Sequence, residues 1–477
     1  MYDLIIKNGM VVMPNCTIKA DIAVKDGQIY SVGIPYEQQK ASRIINASGK
    51  YILPGIIDSH MHVEAPFQGC FGANDFYTQS ISAAFGGVTT FLDFTNTFKG
   101  RSVLTAIDER KKEMSKSAID YSIHAKIVEA PDNILNEIKA LESYGCPSFK
   151  IFMTYRKEGV MADDDTILKV FKAANEYNLL AMAHAESNAI AESNIEIFRN
   201  EGDLSWKRFP QAKPVLCEAE AVSRAVLYSR YAGNALLLVH TTNGEALGIA
   251  EQAQKRNFPV YVETCPQYLT LNSDVYNAEK GYLGICSPPL RDAGEAEELW
   301  KGISEGVISV TGSDDCTYSE KEKIMFLEKN QDGTFIEDFT KVVNGVSGIE
   351  TRLPILLSEG VSKGRISINK LVDISSTNIA KLFGLYPKKG IIAPGSDADM
   401  VIVDMDKEVT LCPQVLHNNI DYCLYEGMKI KGYPVTTISN GNVIVENGKF
   451  LGERGGGSFI KRKNSSIIKS FSQFNGN

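Results

Sequence analysis

The chain changes its hydrophobic pattern twice. Residues 1–50 contain short runs in which apolar and polar positions alternate, and the same pattern returns at residues 390–453. Alternation with a period of two is typical of strands with one buried face, and Asn-Gly and Asp-Gly pairs favour two-residue hairpin turns. Such pairs stand at Asn8-Gly9, Asp26-Gly27, Asn440-Gly441 and Asn447-Gly448. We therefore expect the two ends of the chain to form one small β-sandwich.

Residues 51–389 have a different pattern, in which short continuous apolar runs alternate with helical stretches. Continuous apolar runs are typical of parallel strands covered on both faces, and eight strand–helix units close naturally into a barrel. The eight runs are YILPGIID, VTTFLDF, YSIHAKIV, SFKIFM, LLAMAHAE, ALLLVHTT, PVYVETC and VISVTGSDD. The pattern predicts an α/β fold, a (β/α)8 TIM-like barrel with the small β-sandwich built from the N- and C-terminal segments. Residues 454–477 carry basic and no acidic side chains, and we expect a mobile tail or one that lies on a neighbouring subunit.

Composition narrows the class of protein. The 477 residues are 44% hydrophobic and 23% charged, as in an ordinary folded protein. A net charge of −8 argues against a nucleic-acid surface. The N-terminus lacks the uninterrupted apolar stretch of a signal peptide, and no run approaches the roughly 18 apolar residues of a membrane span. Nine cysteines show no Cys-x-x-Cys spacing. We therefore expect a cytoplasmic protein with neither a zinc knuckle nor a disulfide framework.

Histidine carries the first chemical signal. Four histidines, His60, His62, His184 and His240, stand at the ends of predicted strands. The C-terminal ends of the strands form the reaction face of such a barrel. His60 and His62 project to the same side because alternate residues of a strand do so. Each histidine alone is more simply a core or rim imidazole, but four at matching positions favour a site for zinc or another divalent ion. The six histidines are His60, His62, His124, His184, His240 and His417.

Two other ionisable residues extend this site. Asp314 ends the eighth predicted strand and adds a carboxylate, although it can also cap the next helix, and Asp315 beside it leaves the choice of ligand open. Lys150 lies inside the fourth strand. An ammonium about 5 Å from a divalent ion is repelled by roughly 6–7 kcal/mol at an effective dielectric near 20. Either Lys150 is neutral and reacts with carbon dioxide to give a bridging carbamate, or it is a buried lysine paired with an acid such as Glu186 or Glu263.

At these positions the chain resembles the cyclic amidohydrolases, and most closely the D-hydantoinase/dihydropyrimidinase family. The resemblance runs through nearly the whole chain in the family's order, and its motifs together are specific. The matching stretches are PGIIDSHMH, SFKIFMTY, HAES, VHTTNG, CPQYL, CSPPLR, GSDDC, NGVSGIE and GIIAPGSDADMVI.

The resemblance implies a hydrolase that opens the ring of 5-substituted hydantoins or dihydropyrimidines to N-carbamoyl amino acids. It implies two divalent ions, usually zinc with manganese or iron as substitutes. The implied metal ligands are His60, His62, His184, His240, Asp314 and Lys150 carboxylated by carbon dioxide. Tyr155 matches the donor to the oxyanion, Asp314 the group that moves the proton, and Ser287 and Asn344 the positions whose backbone holds the cyclic amide. A homotetramer acting on a small molecule, with no nucleic-acid or membrane partner, is also implied.

The ring substituent is expected to meet the loops at 63–73, 94–101 and 153–162. Phe67, Phe71, Phe98 and Tyr155 either form an apolar wall there or pack the loops themselves. Taken without the resemblance, Tyr155, Ser287 and Asn344 are more simply rim and turn residues.

Three departures from the family pattern mark this chain. Asp315 stands where histidine is common, HAES replaces HAEN, and Glu64 stands where Asp or Asn is frequent. The alternatives are an allantoinase or another ring-opening amidohydrolase such as a dihydroorotase, and a non-catalytic dihydropyrimidinase-like scaffold protein. A dihydroorotase should offer an arginine soon after the His-x-His motif, where this chain reads VEAPFQGC. A scaffold protein should lack metal-ligand positions, all of which are occupied here.

Overall fold

Both ends of the chain build one predominantly antiparallel sheet. The structure is a computed structural model that describes residues 1–33, 40–465 and 467–468. The sheet has the strand order β17-β16-β15-β14-β5-β1-β2-β3, with β4 paired in parallel to β1. Its strands are β1 Tyr2–Met13, β2 Cys16–Lys25, β3 Gln28–Gly33, β4 Ala41–Asn46, β5 Tyr51–Pro54, β14 Met400–Thr410, β15 Lys429–Ser439, β16 Asn442–Glu446 and β17 Lys449–Phe450.

Eight parallel strands form the second sheet, in sequential order from β6 to β13. They are β6 Ile56–Met61, β7 Val88–Phe94, β8 Asp120–Lys126, β9 Ser148–Phe152, β10 Leu180–His184, β11 Ala235–Leu238, β12 Val260–Thr264 and β13 Val310–Thr311. The circle closes through the residues after β13, where the Asp314 N–H donates to the His60 carbonyl at 2.9 Å and the His62 N–H donates to the Asp315 carbonyl at 2.8 Å. The predicted barrel with a small β unit from both termini is confirmed.

Helices cover the outside of the barrel and cross between its strands. Those before β11 are α1 Phe76–Phe85, α2 Val103–Met114, α3 Ile134–Ala140, α4 Asp164–Glu176, α5 Asn188–Glu201, α6 Phe209–Ala212 and α7 Val215–Ala232. The later ones are α8 Gly244–Lys255, α9 Pro266–Thr270, α10 Ala293–Glu305, α11 Glu320–Lys323, α12 Arg352–Ile355, α13 Ile368–Val372 and α14 Asn378–Leu382. π-Helical turns at Leu356–Ser362 and Asp373–Thr377 join the last three. Within the described ranges, we find no helix with the length and apolar character of a membrane span.

Two local predictions are corrected. The run YILPGIID is not one barrel strand: Tyr51–Pro54 pairs with the small sheet, and the barrel strand begins at Ile56. Asn8-Gly9 is not a hairpin turn but an irregularity within β1, where the Asn8 N–H donates to the Asp21 carboxylate at 2.9 Å. Gly9 is needed there because a Cβ atom would lie 2.4 Å from the Ile52 side chain. The other three Gly-containing pairs do form two-residue turns.

The described part of the basic C-terminal segment packs against the barrel, which differs from the expected mobile tail. Arg462 is buried at the amino-terminal ends of β8 and β9, where its guanidinium donates to the hydroxyls of Ser122 and Ser148, each at 2.9 Å. Ile460 and Ile468 join the apolar cluster inside the barrel. These residues close the barrel at the end opposite the predicted reaction face. Residues 466 and 469–477 of the predicted tail lie outside the described residues.

Candidate metal centre

The four strand-end histidines converge at one end of the barrel. His60 lies in β6 and His184 ends β10, while His62 and His240 follow β6 and β11 by one and two residues. The ring centroids are 5.4 Å apart for His60 and His62, and 4.4 Å apart for His184 and His240. His184 Nδ1 and His240 Nε2 face each other at 2.9 Å. The four imidazoles therefore form two adjoining pairs.

Lys150 and Asp314 lie between these pairs. Lys150 Nζ is 2.6 Å from His60 Nε2. Asp314 Oδ1 lies 3.0 Å from His60 Nε2 and 3.6 Å from His62 Nε2. One ligand atom each from His60, His240 and Asp314 falls within 4.8 Å of the others. The structure thus brings all six sequence-predicted ligand positions into one cluster.

The protonation states of three of the four histidines suit metal binding. Burial lowers the pKa of His62, His184 and His240 below the usual histidine range. A neutral imidazole offers a nitrogen lone pair, which is the form that binds a metal. Burial and Lys150 also depress the pKa of His60, but the carboxylates of Glu263 and Asp314 outweigh them and raise it. The donor set of four imidazoles and a carboxylate fits borderline divalent ions such as zinc.

Lys150 is buried and forms no ion pair with any described residue. Burial lowers the pKa of its amine. No carboxylate in the described ranges forms an ion pair with Lys150, whose neighbours include the rings of Phe94 and Phe152 at 4.6 and 4.9 Å. The simple alternative of a lysine paired with Glu186 or Glu263 therefore does not match the geometry, because those acids contact the histidines instead.

Two buried carboxylates orient the histidines from behind. Glu263 Oε2 lies 2.6 Å from His60 Nδ1, and Glu186 Oε2 lies 2.7 Å from His184 Nε2. Each contact leaves the other ring nitrogen directed at the cluster, and such outer partners fix the tautomer and ring orientation of a metal ligand. Lys213, which the sequence analysis did not single out, pairs with Glu186 at 3.1 Å. Although burial acts to raise the pKa of Glu186, Lys213 and His184 hold it well below the usual range.

Three site residues have strained backbones. Tyr155, His240 and Asp314 adopt positive φ angles of 66°, 40° and 51°. Non-glycine residues rarely adopt this conformation, and it persists where the surrounding structure over-determines it, as it often does at functional sites. All three residues lie just after the carboxyl ends of barrel strands.

Asp315 differs from Asp314 in that its carboxylate points away from the histidines. Its Oδ1 accepts hydrogen bonds from the backbone N–H groups of Gly348 and Ile349 at 2.6 and 3.0 Å. Its Oδ2 accepts from Gln79 at 2.8 Å and from Thr317 at 2.6 Å. The choice between the two neighbouring acids, which the sequence leaves open, is therefore decided by direction: Asp314 faces the cluster, and Asp315 ties a loop to the barrel.

We expect Asp315→Asn to lower the free energy of unfolding by about 1–3 kcal/mol, because an amide has one acceptor oxygen where the carboxylate has two and leaves buried donors without partners. Urea denaturation measures the change. Asp406→Asn is the matched control at an exposed position and should leave the unfolding midpoint unchanged. Equal midpoints for Asp315→Asn and the unmodified protein would show that these hydrogen bonds do not hold the loop.

A cavity opens above the histidines. Tyr155, Ser287 and Asn344 all line it, together with His62 and Asp314. Burial and the charge of Glu186 raise the pKa of Tyr155 well above its usual range, so its hydroxyl keeps its proton. The Asn344 N–H is already engaged by the Gln68 side chain at 2.9 Å, while the buried Oδ1 of Asn344 has no partner among the described residues.

The aromatic wall of this cavity differs from the expectation. Phe67 and Tyr155 line the cavity and contact each other edge to face, with centroids 5.0 Å apart. Phe71 and Phe98 instead line a neighbouring surface cavity and are 65% and 42% exposed. Phe94 and Phe152, which lie at the ends of β7 and β9, take their place. The cavity wall is thus built from strand ends at Phe94 and Phe152 and from loops at Phe67, Tyr155 and Tyr318.

The two remaining histidines and Cys316 are less suited to bind a metal. His124 is buried among Ser148 and the Ser59 carbonyl, at 2.6 and 3.1 Å, and His417 pairs with Glu350 at 2.7 Å. Both are thus structural. Cys316, which the sequence analysis did not single out as a ligand, offers a sulfur atom within 4.8 Å of ligand atoms of His62 and Asp314. Burial and Asp314 raise the pKa of this thiol well above its usual range, which disfavours the thiolate that a metal requires.

Comparisons with known proteins agree with this geometry. The chain is 39% identical to a D-hydantoinase of Geobacillus stearothermophilus over 463 residues, which cover 96% of each protein. It is 37% identical to a D-phenylhydantoinase of Escherichia coli over 96% of this chain and 98% of the relative. The crystal structure of dihydropyrimidinase from Brevibacillus agri NCHU1002 superposes with a TM-score of 0.93 at 36% identity, covering 97% of this chain and 99% of the other. The sequence pattern of the amidohydrolase family matches residues 51–444. The chain therefore belongs to the amidohydrolase family, in the group that contains the D-hydantoinases and dihydropyrimidinases.

Proposed function

We propose that the protein is a binuclear-metal hydrolase that opens the cyclic amide ring of 5-substituted hydantoins or dihydropyrimidines to N-carbamoyl amino acids. The observation that carries the proposal is the cluster of four imidazoles, Asp314 and Lys150, in which the buried Lys150 has no carboxylate partner in the described ranges. An amine of lowered pKa in such a place can take up carbon dioxide and become an anionic ligand. Membership of a family of cyclic amide hydrolases supports the reaction class.

The residues that would hold two divalent ions follow from the pairing in the cluster. His60 and His62 with Asp314 would bind one ion, His184 and His240 the other, and carboxylated Lys150 would lie between them. Zinc suits these donors best, with manganese or iron as substitutes. When bound, the pair of ions supplies a water of lowered pKa and polarises the ring carbonyl.

The remaining chemistry belongs to the side chains. Although burial acts to raise it, the neighbouring His60 holds the pKa of Asp314 well below the usual range, so the side chain is an ionised carboxylate. Asp314 takes the proton of the attacking water and returns it to the ring nitrogen as the C–N bond breaks, which is general base and then general acid catalysis. One water molecule is consumed, and the product keeps both nitrogens as an N-carbamoyl amino acid.

Tyr155 and the cavity wall position the ring. The protonated Tyr155 hydroxyl is a hydrogen-bond donor for the negative charge that develops on the carbonyl oxygen. Because the Asn344 N–H is engaged by Gln68, the Asn344 carbonyl is the backbone group left to accept a hydrogen bond from a ring N–H. Ser287, whose hydroxyl donates to Glu186 at 2.9 Å, flanks the same ring. The ring substituent then meets the aromatic wall.

We expect Tyr155→Phe to lower kcat by about 10²- to 10³-fold with little change in KM, as for removal of one oxyanion donor. Phenylalanine keeps the ring packing against Phe67 and His184 and removes only the hydroxyl. Steady-state kinetics on a hydantoin measure the effect. A variant with undiminished kcat would remove Tyr155 from the reaction.

A substrate panel tests the proposed function. The zinc-loaded protein should open hydantoins or dihydrouracil faster than allantoin or dihydroorotate, with the N-carbamoyl product identified by mass spectrometry. Faster turnover of allantoin or dihydroorotate would assign the chain to another ring-opening activity. No turnover of any ring by the metal-loaded protein would contradict the proposal.

Assembly, location and domain division are part of the same proposal. A homotetramer is supported by three apolar side chains that are exposed on α7, namely those of Leu216, Leu227 and Tyr231. Light scattering measures the subunit number.

A cytoplasmic location is supported by the nine cysteines, all of which are free thiols. We propose that residues 1–50 and 390–453 form the small β domain, residues 51–389 the catalytic barrel and residues 454–477 the basic tail. β5 belongs to the barrel segment in sequence but pairs with strands of the small domain.

A further inference from the structure

Lys126 is a cation in the substrate cavity that the proposed reaction does not use. It is the last residue of β8 and lines the cavity above the histidines. Its backbone N–H donates to the Thr95 hydroxyl at 2.8 Å, which fixes its place at the strand end. Its side-chain ammonium lies 5.4 Å from the ring centroid of Phe98. Because Phe98 lines the neighbouring surface cavity, the lysine lies on the side of the substrate cavity that faces that neighbour.

The ammonium of Lys126 has no carboxylate within ion-pairing distance in the part of the chain that the structure describes. The cations that line the neighbouring surface cavity are paired with acids. Arg110 pairs with Asp93 at 2.8 Å, Arg101 pairs with Glu109, and Lys116 pairs with Glu64 at 2.8 Å. Asp93, the acid that acts most strongly on Lys126, is thus already bound to Arg110. Lys126 is therefore a cation of the substrate-cavity lining that no acid of the described residues neutralises.

An unpaired cation in a partly closed cavity is costly in a folded protein. Removing an ammonium from water is unfavourable unless an anion or other acceptors replace the water. Within the described ranges Lys126 has no such anion in ion-pairing distance. A bound anion would supply the missing acceptor.

Lys126 lies beside Lys150 in the barrel. The two residues are paired in register on the neighbouring strands β8 and β9, and neighbouring strands lie about 4.8 Å apart. A ring held over Lys150 therefore has the strand end that carries Lys126 directly beside it. Phe94 and Phe152 enclose the ring on this side, so a substituent that extends past them reaches the ammonium.

We propose that Lys126 forms an anion subsite of this cavity and that the protein prefers cyclic diamides whose ring substituent ends in a carboxylate. This inference rests on the proposed ring-opening function and narrows its substrate class. The carboxylate forms a charge-assisted hydrogen bond with the lysine while the ring occupies the site above the histidines. Lys126 is a specificity-determining residue and takes no part in the bond-breaking step.

The test compares two hydantoins of the same shape, one with a 2-carboxyethyl group at C5 and the other with a 2-carbamoylethyl group. The ratio of their kcat/KM values in the zinc-loaded protein should favour the carboxylate by about 10-fold or more, since hydrogen bonds to charged groups are the stronger kind. Lys126→Met, which keeps the length of the side chain, should reduce this ratio by about 10- to 100-fold. Lys126→Arg should keep the preference for the carboxylate.

Lys169→Met is the matched control, because it removes the same charge from α4, where Lys169 contacts the carbonyls of Ala130 and Pro131. Its ratio should equal that of the unmodified protein. Titration calorimetry of both hydantoins gives the same comparison for binding, independently of turnover. Equal carboxylate-to-amide ratios in the unmodified protein and Lys126→Met would overturn the subsite, even where both rings are opened. Absence of turnover with a carboxylate preference in binding that Lys126→Met abolishes would overturn the proposed reaction and leave the subsite standing.

Discussion

Lys150→Ala is expected to lose its bound metal and at least about 10³-fold in kcat/KM. Lys150 is the group that would lie between the two ions, and its amine is 2.6 Å from His60 Nε2. Metal ions stabilise the transition state by several kcal/mol, and each 1.36 kcal/mol is tenfold in rate. Elemental analysis of the purified variant and its kinetics on a hydantoin measure the two losses together.

The same variant can separate a bridging carbamate from a structural lysine. Alanine leaves space where the long side chain was, so acetate or propionate should enter, bridge the ions and restore part of the activity. Lys169→Ala, on the outer helix α4, should keep both metal and activity and serves as the control. Full metal content and unchanged turnover in Lys150→Ala would remove the bridge from the account.

Asp314→Asn is expected to reduce kcat by about 10²- to 10⁴-fold, the range for loss of a general acid–base group. The amide keeps the shape of the side chain but cannot take the proton of the attacking water. Because Asp314 also contacts His60 and His62 at 3.0 and 3.6 Å, affinity for one ion should fall as well. Kinetics at saturating zinc separate the two effects.

Asp315→Asn is the comparison that makes this result specific. Both variants remove one negative charge from adjacent positions, but only Asp314 faces the histidines. The expected order is a large loss of kcat for Asp314→Asn and a loss mainly of stability for Asp315→Asn. A larger kcat loss for Asp315→Asn than for Asp314→Asn would show that Asp315 is the catalytic carboxylate and Asp314 the structural one.

Much of the architecture follows from local patterns. The continuous apolar runs predict the barrel because strands covered on both faces have no polar side, and His60 and His62 at a strand end predict convergence because parallel strands end at one rim. The chain passes from one sheet to the other within the run YILPGIID. The pattern does not reveal this, because Leu53 and Ile56 are both fully buried but belong to different sheets. The apolar pattern shows which positions are buried, but it does not show which sheet a strand joins.

Residues recruited by long-range contacts were the least predictable. Lys213 lies in a short segment before α7, and nothing in its neighbours indicates that it meets Glu186 and Ser287. Arg462 sits in a basic stretch typical of a solvated tail, yet it is buried against hydroxyls and carbonyls at the amino-terminal end of the barrel. Charged residues of this kind are placed by tertiary partners distant in sequence, which no local pattern records.

The most direct measurement is a crystal structure of the protein reconstituted with zinc and bicarbonate, with anomalous scattering recorded at the zinc edge. We expect two anomalous peaks per chain, one beside His60 and His62 and the other beside His184 and His240. Density for a carboxylate on Lys150 Nζ should lie between the two peaks. A single peak, or none, next to an unmodified Lys150 would contradict a binuclear centre bridged by this residue.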